Sequence, residues 1–258
     1  MSEDAGLDER ATEEGLRTLE HVRGMKDEFV DFLSSLCLVE SPTDHPVTQS
    51  GVHALLAPAF DDLGYDVRVI EGRTSGNHFL AKPKGRTKRA PSQLLIGHSD
   101  TVWPLETLER MPVHEQDGRL HGPGTLDMKG GLSLIVFALR ALRDLGHEPE
   151  VAPVVFVNSD EEVGSPDSKK HVRRLARAAS RALVLEPALG PSGLIKTARK
   201  GLGRFEITVR GRAAHAGLDP EAGASAIVEL SHVIQELNRL NDPEQGTTVN
   251  VGLIGGGT

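Results

Sequence analysis

The chain has 258 residues, 38% hydrophobic and 26% charged, with 29 basic against 37 acidic side chains and a net charge of -8. That balance argues against a nucleic-acid partner, and a single cysteine, Cys37, rules out an internal disulfide and suits a reducing compartment. The acidic start MSEDAGLDERATEEG does not read as a secretory signal, and no run approaches the roughly 18 apolar residues of a membrane span, so the expected address is cytoplasmic, with no membrane partner.

Leu16, Leu19, Val22, Phe29, Phe32 and Leu36 recur at three- or four-residue steps or their multiples, which predicts one amphipathic helix over 11–38, broken by ESPTDHP. A second helix is predicted over 46–63, closed by Gly64. YDVRVI alternates as a strand, NHFLAK reads as its neighbour, and PKGRTKRAPS reads as a basic surface loop. QLLIGHSD brings a buried strand to His98 and Asp100; a long loop follows over 101–126, then a tight turn and a helix ending at Gly146. VAPVVFVNSDEE is a strand, 167–179 a helix with Lys169, Lys170, Arg173 and Arg174 on a solvated face, and RALVLEPA a strand again. Strands alternating with helices predict an α/β sheet. From 197–200 the character changes: GRFEITVRGR alternates, a helix is predicted over 220–240, and TTVNVGLI alternates again, so residues 1–197 read as one domain and 198–258 as the start of a smaller one.

Three apolar strands each end in a side chain able to bind metal: His98, the pair Glu161 and Glu162, and Glu186. Asp127 lies in the loop before a helix on the same side, and ligands of open α/β sheets sit outside the carboxyl ends of the strands. Like charges about 4 Å apart repel by roughly 4 kcal/mol at the effective dielectric near a protein surface, so a rim this anionic calls for a cation. An imidazole among oxygens disfavours calcium and magnesium and points to zinc, with cobalt or manganese as alternatives. Two ions sharing one bridging carboxylate, each with about three protein ligands, need a fifth ligand besides His98, Asp127, Glu162 and Glu186. There is no G-x-S-x-G element of a serine hydrolase.

In order and spacing, GHSDTVWP, GPGTLDMKGG, NSDEEVGS, LEPA and GRAAHAG resemble the M20 family of dizinc metallopeptidases, from about residue 16 to the end, and GRLHGPGTLDMKGG is most similar to its glutamate carboxypeptidase branch. The resemblance implies a zinc-exopeptidase-like catalytic domain, its mixed sheet flanked by helices, followed by the first part of a small α+β, ferredoxin-like lid and dimerisation domain. It implies Asp127 as the bridge between two divalent ions, His98 and Glu186 completing one, and Glu162 serving the other. Asp100 would fix the tautomer of His98, Glu161 would be the general base, and His215 would stabilise the oxyanion. The implied substrate is a small peptide or N-acyl amino acid, and the implied assembly of the full-length form is a homodimer. Family members carry a last metal-binding His after the GGT-type turn at which this sequence stops, so the chain is expected to be an N-terminal portion with its fifth ligand beyond Thr258. The other open reading is a non-catalytic fragment that binds metal weakly or acts only through association.

Overall fold

A computed structural model describes residues 3–87 and 91–257, with side chains from residue 13 onward. Residues 88–90 of the expected basic loop lie outside the described residues. The chain divides into two compact units, Met1–Ala188 and Leu189–Thr258.

In the first unit the single helix expected over 11–38 is two, α1 (Glu3–Gly24) and α2 (Lys26–Cys37). Glycine is a poor helix former, and Met25 after it leaves helical geometry (φ -91°, ψ 6°) and buries its side chain in the core. Beyond this break Leu33, Leu36 and Cys37 are buried, whereas Leu16, Leu19 and Val22 of α1 stay exposed. A 3-10 turn over Pro46–Gln49 leads into α3 (Ser50–Asp62), and the chain leaves it through Gly64 at a φ of 78° that favours glycine.

The sheet holds β1 (Tyr65–Ile70), β2 (His78–Pro83), β3 (Ser92–His98), β6 (Ala152–Asn158) and β7 (Arg181–Val184), in the order β1-β2-β6-β3-β7. The first two pairings are antiparallel and the last two parallel, a mixed sheet as expected. Side chains alternate between its faces. Phe79, Ala81, Leu95, Val155 and Val157 join the core formed with α2, α3 and α4 (Gly130–Asp144). Leu80, Leu94, Val154 and Phe156 face Val172 and Leu175 of α5 (Lys169–Ala178). Helices on both faces leave the carboxyl ends of β3, β6 and β7 as the place where polar groups gather.

Within the expected loop 101–126, β4 (His114–Gln116) and β5 (Arg119–His121) form a hairpin. Its turn is Asp117-Gly118, both at positive φ, the combination that suits a two-residue hairpin loop. In the second unit the expected helix is α6 (Ala226–Arg239), whose N-terminus is capped by Ser225 Oγ accepting the Val228 N–H at 3.2 Å. The strands expected in GRFEITVRGR and TTVNVGLI are not formed among the described residues. A strand persists only with a hydrogen-bonded neighbour. Neither segment has one here, and Phe205 and Leu253 are 90% and 84% exposed. No described helix is long and apolar enough to cross a membrane.

Candidate metal centre

Each site residue in the first unit is delivered by an element end. His98 closes β3 and is 1% exposed. Glu161 and Glu162 open a short 3-10 turn after β6, and Glu186 follows β7. Asp127 sits in the irregular turn before α4, at a cis Asp127–Met128 peptide. His98 Nε2 lies 3.1 Å from Asp127 Oδ1 and 3.4 Å from Glu186 Oε1. Among the described residues there are two groups whose ligand atoms lie within 4.8 Å of one another inside each group: His98 with Glu161 and Glu186, and His98 with Asp127 and Glu162.

Close backbone approach makes this convergence possible. A Cβ on Gly131, in the first turn of α4, would overlap the carbonyl oxygen of Leu185, the residue just before Glu186. A Cβ on Gly97 would press Leu132 and Met128 at 2.7 and 2.9 Å. Met128 Sδ in turn accepts the His98 N–H at 3.2 Å.

Asp100 is fully buried. Its main-chain carbonyl accepts from His98 Nδ1 at 2.8 Å, while its carboxylate Oδ1 stands 3.5 Å from the same nitrogen. The carboxylate instead accepts the N–H groups of Glu161 and Glu162, each at 3.2 Å, and the Thr43 hydroxyl at 2.9 Å. A carbonyl accepts and never donates, so Nδ1 carries a proton and Nε2 is the atom left to meet a ligand. This is the tautomer a metal-binding histidine needs.

Electrostatics point the same way. Burial alone would lower the His98 imidazole, but hydrogen bonds and charge from Asp100 and Glu186 outweigh it and push it up to about 11. Burial, with the charges of Asp127, Asp100 and Glu161 outweighing His98, pushes Glu162 up to about 7. Glu161 is raised by burial and by Glu186, Asp100 and Asp127 against His98. Asp127 is raised by burial and Glu186 against His98. Without a cation, then, His98 keeps its proton and the crowded carboxylates are harder to ionise than free ones. A buried imidazole whose Nε2, once it gives up its proton, faces several crowded carboxylates is a donor set that fits a divalent transition metal.

The sequence reading missed two supports. Lys129, 1% exposed, donates to the Val39 carbonyl at 2.6 Å and so ties the turn bearing Asp127 to the end of α2; burial pushes its ammonium down to about 8. Its place beside Asp127 in DMKGG was the only available signal. Glu40 accepts the N–H groups of Glu106 and Leu108 at 2.8 and 2.9 Å, steadying the loop after β3. His215 belongs to the second unit, where its Nδ1 accepts from Gly217 and Leu218 N–H at 3.1 and 3.2 Å, leaving Nε2 as the proton-bearing atom.

The sequence profile of peptidase family M20/M25/M40 matches residues 94–250. The chain is 28% identical over 220 residues to carboxypeptidase G2 of a Pseudomonas species, covering 84% of this chain and 52% of that protein. It is 38% identical over 215 residues to acetylornithine deacetylase of Myxococcus xanthus, covering 76% and 50%. It thus spans about half the length of the curated relatives it matches. Among solved structures, a tripeptidase of Staphylococcus aureus superposes with a TM-score of 0.59 at 19% identity, covering 81% of this chain and 56% of that one. Aminopeptidase PepT of Bacillus cereus gives 0.57 at 22%, covering 84% and 57%. These two likenesses show the fold.

Proposed function

Because the chain belongs to peptidase family M20/M25/M40, we propose that it carries the catalytic core of a metal-dependent hydrolase that cleaves a peptide or N-acyl-amino-acid amide bond. The observation that carries this reading is the gathering of His98, Asp127, Glu161, Glu162 and Glu186 at the strand ends, in two groups each within 4.8 Å. His98, Asp127, Glu162 and Glu186 would hold the metal, zinc by preference and otherwise cobalt or manganese. Bound there, divalent ions supply Lewis acidity for a carbonyl and a lowered pKa for a water. Glu161, held by its main chain on Asp100, takes the proton of the attacking water and returns it to the leaving amine. By the resemblance to family members, His215 of a second copy of the chain, with Nε2 as its donor, would stabilise the developing oxyanion. The names of the relatives, a carboxypeptidase and an acetylornithine deacetylase, support the two substrate classes equally.

The test is hydrolysis of dipeptides and N-acyl amino acids by the full-length protein, before and after chelation. Chelation is expected to abolish activity and added zinc to restore it. Glu161→Ala should lower kcat by about 10²–10⁴ while retaining metal. Activity surviving that substitution would overturn the assignment of the base.

One observation favours a second reading for this chain on its own. Both ligand groups use His98, yet a single Nε2 lone pair serves one ion. The chain alone is therefore expected to hold one ion firmly and to be inactive, the second ion needing a ligand from elsewhere in the full-length protein.

A further inference from the structure

We propose that the cleft beside Glu162 receives the acyl-side residue of the substrate, and that Asp44 makes it select a neutral or cationic side chain over an acidic one. This rests on the amide-hydrolase reading above. The cleft has a volume of about 430 Å³ and is walled by Thr43 and Asp44 after α2, Thr74 after β1, Val102 after β3, and Val163 after β6. That volume lies in the range of small-molecule sites, and hydroxyls set among apolar side chains are their usual lining.

The walls are built before any ligand arrives. The Asp167 carboxylate accepts the N–H groups of Arg73 and Thr74 and the Ser75 hydroxyl, which fastens the loop after β1 to the segment entering α5. Gln49 Nε2 donates to the Pro42 and Ser159 carbonyls at 3.4 and 3.1 Å, joining the loop after α2 to the end of β6. A cleft so fixed discriminates by shape and charge without having to order itself on binding.

The charge is one-sided. Asp44, Asp160 and Glu162 line the cleft, and among the described residues no lysine or arginine does. Asp160 is fully buried and committed, accepting the N–H groups of Asp167 at 2.7 Å and Ser168 at 3.1 Å. Glu162 belongs to the metal centre. Asp44 remains, its side chain 74% exposed and met by His45 Nδ1 at 3.1 Å. An acidic substrate side chain would face it as a like charge, while a lysyl or arginyl side chain would pair with it. The cleft includes Glu162 but not Glu161. The leaving amine must lie by Glu161 to receive its proton, so the cleft is left to the acyl half.

Two measurements test this. Nα-acetyl-lysine methylamide and Nα-acetyl-glutamate methylamide, titrated into this chain and followed by amide chemical shifts, should perturb Thr43, Thr74, Val102 and Val163, the lysyl probe more strongly. Asp44→Lys should reverse that order. In the full-length protein the same substitution should lower the ratio of kcat/KM for acyl-lysyl over acyl-glutamyl substrates by about tenfold. Probes that leave these amides unmoved, or a ratio unchanged by Asp44→Lys, would overturn the inference. Probe binding with the expected order, but no hydrolysis of any amide by the full-length protein, would support the cleft's selectivity and overturn the hydrolase reading instead.

Discussion

Asp100 and Glu162 are joined through the main chain: Oδ2 of Asp100 accepts the Glu162 N–H at 3.2 Å, while Oδ1 accepts that of Glu161 at the same distance. One buried carboxylate thus orients the turn that presents both glutamates, and the carbonyl of the same residue fixes the His98 tautomer. Asp100→Ala removes the acceptors and leaves N–H groups unpaired, so metal affinity is expected to fall about 10–100-fold. Asp100→Asn, which keeps one acceptor oxygen, should lose less. Competition with a chromophoric chelator reads both; equal affinity in Asp100→Ala and wild type would remove Asp100 from the centre.

Gly131 makes a second prediction. Since its Cβ would overlap the Leu185 carbonyl, Gly131→Ala must push apart α4 and the segment carrying Glu186. A loss of about 1–3 kcal/mol in unfolding free energy is expected from overpacking, together with weaker metal binding. An unchanged chelator titration in a destabilised variant would separate the packing from the site.

Metal binding should depend steeply on pH. A cation takes only deprotonated ligands, and the metal-free protein holds Glu162 at about 7 and His98 at about 11. Above pH 7 the proton of His98 is displaced, so affinity should rise by at least about tenfold per pH unit. Below pH 7 Glu162 gives up a second, and the slope should steepen. Calorimetry in buffers of different ionisation enthalpy counts these protons; binding without proton release would contradict the charge state derived for the cluster.

Stability at low pH has a separate source. His53 is buried beside Phe79, and burial, with the charge of His78, pushes its imidazole down from 6.5 to about 4. Its folded value lies below the unfolded one, so the stability it contributes is present above pH 6.5 and is lost as pH falls through 4. At about 1.4 kcal/mol per pKa unit the contribution is about 3 kcal/mol. His53→Asn should flatten the fall of unfolding free energy between pH 6.5 and 4, measured by urea titration; an unchanged slope would place the acid sensitivity elsewhere.

The convergence of His98, Glu161, Glu162 and Glu186 could be read from the sequence because each follows an apolar run. LLIG before His98, VVFVN before Glu161 and Glu162, and ALVL before Glu186 fix both the strands and the end at which the polar groups emerge. What escaped depends on contacts remote in sequence. The break at Met25 arises from a core that one helix's periodicity does not report, and the main-chain role of Asp100 depends on where the turn after β6 comes to rest. The hairpin at 114–121 was marked by Asp117-Gly118, a turn signal flanked by runs too short and polar to read as strands. In the second unit the alternation of Phe205, Ile207 and Val209 was a sound strand pattern, but pairing belongs to two segments and the pattern describes one.

The most direct measurement is elemental analysis of this chain after zinc loading and gel filtration, in wild type and in His98→Ala. Close to one zinc per chain in the wild type, and a value near zero in the variant, is the predicted result. Zinc retained undiminished by His98→Ala, or none bound by the wild type, would contradict a metal centre at the ends of β3, β6 and β7.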